Sequence, residues 1–228
     1  MMLQTPGKIY LADQRGRLET SDLRRLSTFN FGDYADEHRQ PLGRLYGFNE
    51  ETLAGGCSTE LRATQASYVL LLPITGDVAF RLASGPSGTV QVEELQGLAL
   101  AAGDSLQLTN PYEDELISFL HIWLQADVPT SEVAPVFGFD LGSNENQLLE
   151  IISNERVFSL SIGRFMGRQE AVYLVPPRAQ LFAFILAGAF EVEGRLLHER
   201  DGLGLWEAKE VELEALSNNA IVMVLEVH

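Results

Sequence analysis

The thirteen residues GLALAAGDSLQLT, Gly97 to Thr109, return 105 positions later as GLGLWEAKEVELE, Gly202 to Glu214. Leu98, Leu100, Leu106 and Leu108 of the first copy meet Leu203, Leu205, Val211 and Leu213 of the second. Both copies alternate apolar and polar residues, the period of a half-buried strand. Each follows a strand-like run ending in glycine, SYVLLLPITG at Gly76 and QLFAFILAG at Gly188. A β pattern repeated at this distance predicts two copies of one β domain. The second copy is tighter, with 14 residues from Gly188 to Gly202 against 21 from Gly76 to Gly97, which predicts a shorter hairpin between equivalent strands.

The rest of the chain reads the same way. Short apolar runs such as KIYLAD, DVAFRL, TVQVEEL, RVFSLSIGRF and AIVMVLEV are separated by Gly, Pro and Ser turns. LISFLHIWL, Leu116 to Leu124, is apolar at every second position and between them, which predicts a strand buried on both faces. QLLEIIS, Gln147 to Ser153, is compatible with a helical turn or a strand. Regular short strands with few helices predict a sandwich or barrel. The stretch from Ala126 to Gln147 has prolines, small residues and no period, so an interdomain connection is expected at 127–139, between domains at 1–126 and 140–228.

The balance of 32 acidic against 16 basic residues, net −16, repels phosphate backbones and anionic lipids, so neither nucleic acid nor a membrane is an expected partner. No apolar run approaches the roughly 18 residues of a span. MMLQTPGK has no apolar core of a secretory signal, and Cys57 is the only cysteine, which together point to the cytoplasm.

Several pieces in order along the chain resemble the pirin family of two-domain cupins. FNFGDY (Phe29 to Tyr34) is similar to its N-terminal aromatic motif. LGRLYGFNEETLAGG (Leu42 to Gly56) is similar to the segment with Asn and an acidic pair that leads into the first barrel. NPYEDELISFLHIWL resembles the Asn-Pro turn and the strand ending in Ile-Trp, and DGLGLWE (Asp201 to Glu207) resembles DGLAIWDE. The resemblance implies an all-β bicupin, two β-barrel or jelly-roll (double-stranded β-helix) domains in one chain. It also implies a metal in the first barrel only, held by a His-x-His pair before the glycine equivalent to Gly76 and a His-x-Glu pair before the Asn-Pro turn.

Counted back from Gly76, the His-x-His positions fall on Arg62 and Thr64; counted back from Asn110, the His-x-Glu positions fall on Leu106 and Leu108. The chain has four histidines, His38, His121, His198 and His228, with no His-x-His pair among them. Leucine cannot ligate a metal and arginine brings a positive charge against it. The expectation is therefore no metal, no cofactor and no assigned catalytic residue. Glu60 with other carboxylates is the competing reading, a rebuilt oxygen site for a hard cation.

A hollow first barrel without a metal leaves a candidate cavity lined by Arg62, Thr64, Leu106, Leu108 and His121, open to a small organic ligand. Arg62 is read either as a guanidinium for a carboxylate or as a solvated strand-edge residue. His121, on an apolar strand, is read as a satisfied core histidine or as a polar group in the cavity. Cys57 is read as incidental rather than redox-active, Glu210, Glu212 and Glu214 as a solvated strand face, and Trp206 as an aromatic plug. Phe29, Phe31 and Tyr34 would offer a partner surface only if exposed. The expectation is a non-catalytic small-molecule-binding or regulatory bicupin. The alternatives are a quercetinase-like metal-dependent dioxygenase, or a metal-free isomerase or lyase using Arg62 and a nearby acid.

Overall fold

A computed structural model describes residues 5–127, 132–154 and 157–228. In chain order its strands begin with β1 (Gly7–Tyr10), β2 (Gly16–Glu19), β3 (Leu23–Ser27), β4 (Leu45–Leu53), β5 (Ser58–Arg62), β6 (Ser67–Thr75) and β7 (Val78–Leu82). They continue as β8 (Ser87–Val90), β9 (Glu94–Leu100), β10 (Ser105–Thr109), β11 (Ile117–Gln125), β12 (Glu132–Gly138), β13 (Leu149–Asn154) and β14 (Phe158–Phe165). The last are β15 (Glu170–Leu174), β16 (Gln180–Ala187), β17 (Ala189–Val192), β18 (Arg195–His198), β19 (Gly202–Leu205), β20 (Glu210–Ala215) and β21 (Ala220–Val227). The QLLEIIS segment, open between helix and strand, enters β13. No helix among the described residues is long and apolar enough to cross a membrane.

The chain forms two units. One is Gly16–Phe139; the other joins the described residues up to Arg15 with Asp140–His228. The first unit has a seven-stranded sheet, β12-β9-β6-β11-β4-β3-β2, and a four-stranded sheet, β5-β10-β7-β8. Its apolar cluster takes Leu61, Phe80, Leu106 and Leu108 from the small sheet and Val69, Leu71, Leu98, Phe119 and Trp123 from the large one, so the core lies between the sheets. The period-2 alternation produces this directly: β10 turns Leu106 and Leu108 inward and leaves Gln107 in solvent. Of LISFLHIWL, Leu116 is exposed and precedes the strand, but from Ile117 on both faces are covered: Phe119 and Trp123 join the cluster, and Leu120, Ile122 and Leu124, on the other face, are equally inaccessible.

The second unit has the same plan, a large sheet β1-β19-β16-β21-β14-β13 and a small one β15-β20-β17-β18. The sequence repeat is thus β9 with β10 in one barrel and β19 with β20 in the other. The glycines that precede it, Gly76 (φ +70) and Gly188 (φ +74), take the left-handed conformation at equivalent turns. The tighter spacing arises where expected, since β17 and β18 are joined by only Glu193 and Gly194, both with positive φ.

The edge position that β12 fills in the first barrel is filled in the second by β1, which pairs with β19 from Gly7↔Leu205 to Tyr10↔Gly202. The described residues up to Arg15 therefore group with the second unit, where 1–126 is the domain expected from the sequence. Of the expected connection 127–139, residues 128–131 lie outside the described residues, while Glu132–Gly138 is a strand of the first unit. Its proline hid it from a periodicity argument. The register slips between Val133 and Val136, around Pro135, where a residue without an N–H is tolerated in a ladder.

Candidate functional site

Three neighbouring strands of the first unit's large sheet place polar side chains on its inner face. Arg25 of β3 lies opposite Glu51 of β4, Ser27 opposite Asn49, Asn49 opposite His121 of β11, and Glu51 opposite Phe119. Directly opposed residues, and residues two apart on one strand, share a face. Arg25, Asn49, Glu51, His121 and Trp123 consequently point the same way as Phe119, into the barrel.

Four of these side chains form one continuous chain of hydrogen bonds. The Arg25 guanidinium grips the Glu51 carboxylate as a fork, Nε to Oε2 at 2.7 Å and Nη2 to Oε1 at 3.0 Å, and Nη2 also reaches Thr59 Oγ1 at 3.3 Å. His121 Nε2 lies 2.8 Å from Glu51 Oε2, and Trp123 Nε1 donates to His121 Nδ1 at 2.8 Å. An indole N–H can only donate, so Nδ1 is the acceptor and the proton of the neutral ring sits on Nε2, aimed at Glu51. The Glu51 and His121 side chains have no solvent exposure.

Burial pushes the His121 pKa below its ordinary value, outweighing the nearby carboxylate. Burial alone would raise the Glu51 carboxyl, but the hydrogen bonds from His121 and the Arg25 guanidinium together hold it below the usual carboxylate range. The state of the cluster is a carboxylate paired with a guanidinium and a neutral imidazole. Asn49 is fully buried beside His121, and neither of its amide atoms has a partner among the described residues.

A cavity of about 500 Å³ opens against this cluster. Phe31, Tyr34, Tyr46 and Trp123 supply aromatic walls, and Arg25, Glu60, Arg62 and Thr64 the polar ones. Phe31 packs edge-on to His121 at 5.5 Å between centroids and lies under the Arg25 guanidinium at 5.5 Å. Tyr46 is held from behind: Ser67 Oγ gives its hydrogen to the Gln65 carbonyl at 2.8 Å, so the Tyr46 hydroxyl donates to Ser67 at 2.6 Å. Burial pushes the Tyr46 phenol above its ordinary pKa.

The residues singled out from the sequence separate into two groups. Arg62 and Thr64 are exposed and line the cavity, Arg62 donating from Nε to the Gly103 carbonyl at 3.2 Å. Leu106 and Leu108 lie in the apolar cluster, and His121 lies behind the cavity wall, bonded to Trp123. Phe29 is fully buried, whereas Phe31 and Tyr34 are partly buried and line the cavity. Arg25, Glu51 and Tyr46 were not singled out. The acidic pair Glu50–Glu51 was visible in NEETL, but only the register of β3 on β4 shows which of the two meets Arg25.

In the second unit Glu210, Glu212 and Glu214 share the outer face of β20. Trp206 is only partly buried, and its backbone N–H bonds the Pro6 carbonyl at 3.2 Å. Cys57 is a free thiol of intermediate exposure.

Two stacked-sheet barrels of one plan, with the chemistry-bearing cavity in the first, define a two-cupin protein. Within that class the chain is similar in fold to a bacterial pirin. Residues 144–227 match the family described as the quercetinase C-terminal cupin domain. The chain is 20% identical over 228 residues to quercetin 2,3-dioxygenase of Escherichia coli K12, covering 94% of this chain and 97% of the relative. Its fold is that of YhhW from Escherichia coli, with a TM-score of 0.84, 16% identity and 98% of each chain covered. Bacterial pirin YhhW in complex with nickel(II) superposes with a TM-score of 0.81 and 16% identity, covering 97% of this chain and 99% of that one.

The residues of this barrel do not fit such an ion. Among the described residues no three His, Cys, Asp or Glu side chains group closely enough to share a metal. The interior His–Glu pair is already engaged, His121 through both nitrogens and Glu51 through both oxygens, with the Arg25 cation 2.7 Å from the carboxylate. Binding a cation there would require displacing a buried guanidinium from its carboxylate.

Proposed function

We propose that the first barrel is a metal-independent binding module for a small aromatic molecule, serving a binding or regulatory role in the cytoplasm rather than oxygenation. The observation that carries this reading is the cavity itself. Its volume of about 500 Å³ and its four aromatic side chains suit a ligand of one to three rings. The nearest buried carboxylate and imidazole are tied to each other and to Arg25, so they are not free to ligate an ion or to take a proton from a substrate.

Quercetin, the substrate in the name of the Escherichia coli relative, is a suitable flat aromatic probe. In a Trp206→Phe background, which leaves Trp123 as the only indole, quercetin is expected to quench fluorescence saturably, and Tyr46→Ala to weaken that binding about tenfold. Oxygen uptake should stay at the protein-free level, with or without added nickel(II) or iron(II). Catalytic consumption of quercetin and oxygen would overturn the proposal in favour of a dioxygenase.

A further inference from the structure

We infer that this cavity selects a flat aromatic carboxylate, held by its ring among Phe31, Tyr34 and Tyr46 and by its anionic group on the guanidiniums of Arg25 and Arg62. The inference rests on the binding reading above and names the class of ligand. Both ends of the buried hydrogen-bond chain, Trp123 and Arg25, lie on the cavity wall, while His121 and Glu51 join them from behind.

Arg25 commits Nε and Nη2 to Glu51 and Thr59, which leaves the Nη1 amino group without an acceptor among the described residues. A guanidinium fixed in this way loses little freedom when it grips a planar anion. Arg62 bonds only the Gly103 carbonyl, through Nε, and pairs with no carboxylate among the described residues. Two forks with donors to spare lining one cavity, Arg25 from β3 and Arg62 from β5, match a carboxylate, in a chain whose net charge of −16 would otherwise repel it. Glu60 is the opposing charge; it is exposed, so water and salt screen it. A cationic ligand, which the aromatic walls would suit on their own, would meet both arginines instead. His121 is a positioning residue here: it touches no ligand, and its bond to Glu51 sets where the Arg25 fork stands.

Calorimetric titration of the full chain with 2-naphthoate and with 2-naphthamide separates charge from shape. The acid is expected to bind at least about tenfold more tightly than the amide. Arg62→Gln, an exposed substitution with no core consequence, should weaken the acid more than the amide and so bring the two affinities together. His121→Gln, which keeps a donor for Glu51, should retain the preference, and His121→Leu should lose it while amide binding persists. Equal affinity of acid and amide for the unmodified protein would overturn the anion assignment and leave the aromatic cavity standing. Binding of neither would overturn the cavity reading as well.

Discussion

His121 accepts from an indole on one side and faces a carboxylate on the other, so a second ring proton would put two donors nose to nose at Nδ1. That is the local reason, beyond burial, why the ring resists protonation. The consequence for stability has a definite sign. In the unfolded chain His121 takes up a proton as pH falls through about 6.5, while in the folded barrel it does so only at lower pH. Its contribution is therefore fully present above that value and is lost as pH drops below it. Glu51, whose folded carboxyl ionises below the ordinary 4.5, holds its contribution above 4.5 and loses it as pH falls through the folded value. Urea midpoints measured from pH 7.5 to 4 should fall in two stretches, the upper with a slope of up to about 1.4 kcal/mol per pH unit for a single proton. His121→Gln keeps a donor but does not titrate, so it should flatten the upper stretch and spare the lower one. An unchanged slope in that variant would refute the role given to His121. At this scale a count from Gly76 singles out Arg62 and Thr64, which are exposed and alternate with the buried Leu61 and Ala63. The sequence was blind to Arg25 and Glu51, because a cross-strand ion pair depends on register and register leaves no local mark in a chain.

Single strands show the same division between what alternation reveals and what it hides. β20 reads off directly: Val211, Leu213 and Ala215 are buried and Glu210 and Glu212 are exposed. What that pattern does not display is the charge row that pairing creates. Glu214 lies directly opposite Glu170 of β15 on one side and Glu191 of β17 on the other, three carboxylates across three strands. Like charges directly opposed disfavour the sheet, and Arg168, paired with Glu214 at 2.7 Å, offsets only part of this. Glu191→Lys should therefore stabilise the second barrel by about 0.5 kcal/mol at low salt, an advantage that 1 M sodium chloride removes. Thermal melts of the two proteins at both salt concentrations would check it, and a destabilised variant at low salt would contradict the row as a source of repulsion. β12 is the opposite case, a strand whose proline breaks the very alternation that would have announced it. β1 was legible as a strand in KIYLAD, but nothing short-range in those residues says that its partner lies almost two hundred positions away.

For the molecule as a whole, the repeat means that one plan was used twice and that each copy needs an outer strand beside β9 or β19. The first barrel takes its own from the chain that follows β11, while the second takes β1 from the other end of the sequence. Several contacts hold β1 there. Gly7 passes so close to β19 that a Cβ would stand 2.8 Å from the Gly204 carbonyl oxygen. Tyr10 is buried and packs edge-on to Phe182 at 5.9 Å, over Gly202, where any side chain would strike the Phe182 ring. Beyond the strand, the Asp201 carboxylate accepts from the Ala12 N–H at 2.8 Å. The DGLGLWE motif is thus a docking strip for β1: its glycines make room and its aspartate caps the end. Burial of one tyrosine accounts for about 2 kcal/mol, and the four-residue ladder adds to it. Strands β16 and β19 are the ones that β1 lies against, so they are where its removal should be read first. Deleting residues 1–11 should raise hydrogen exchange in β16 and β19 by at least about tenfold, corresponding to a loss of at least about 1.4 kcal/mol, while β6, β9 and β11 keep their protection. Equal loosening of both barrels would show that the clusters do not behave as separate cores. An unperturbed β19 would show that the strand from the chain's beginning is dispensable where the fold places it.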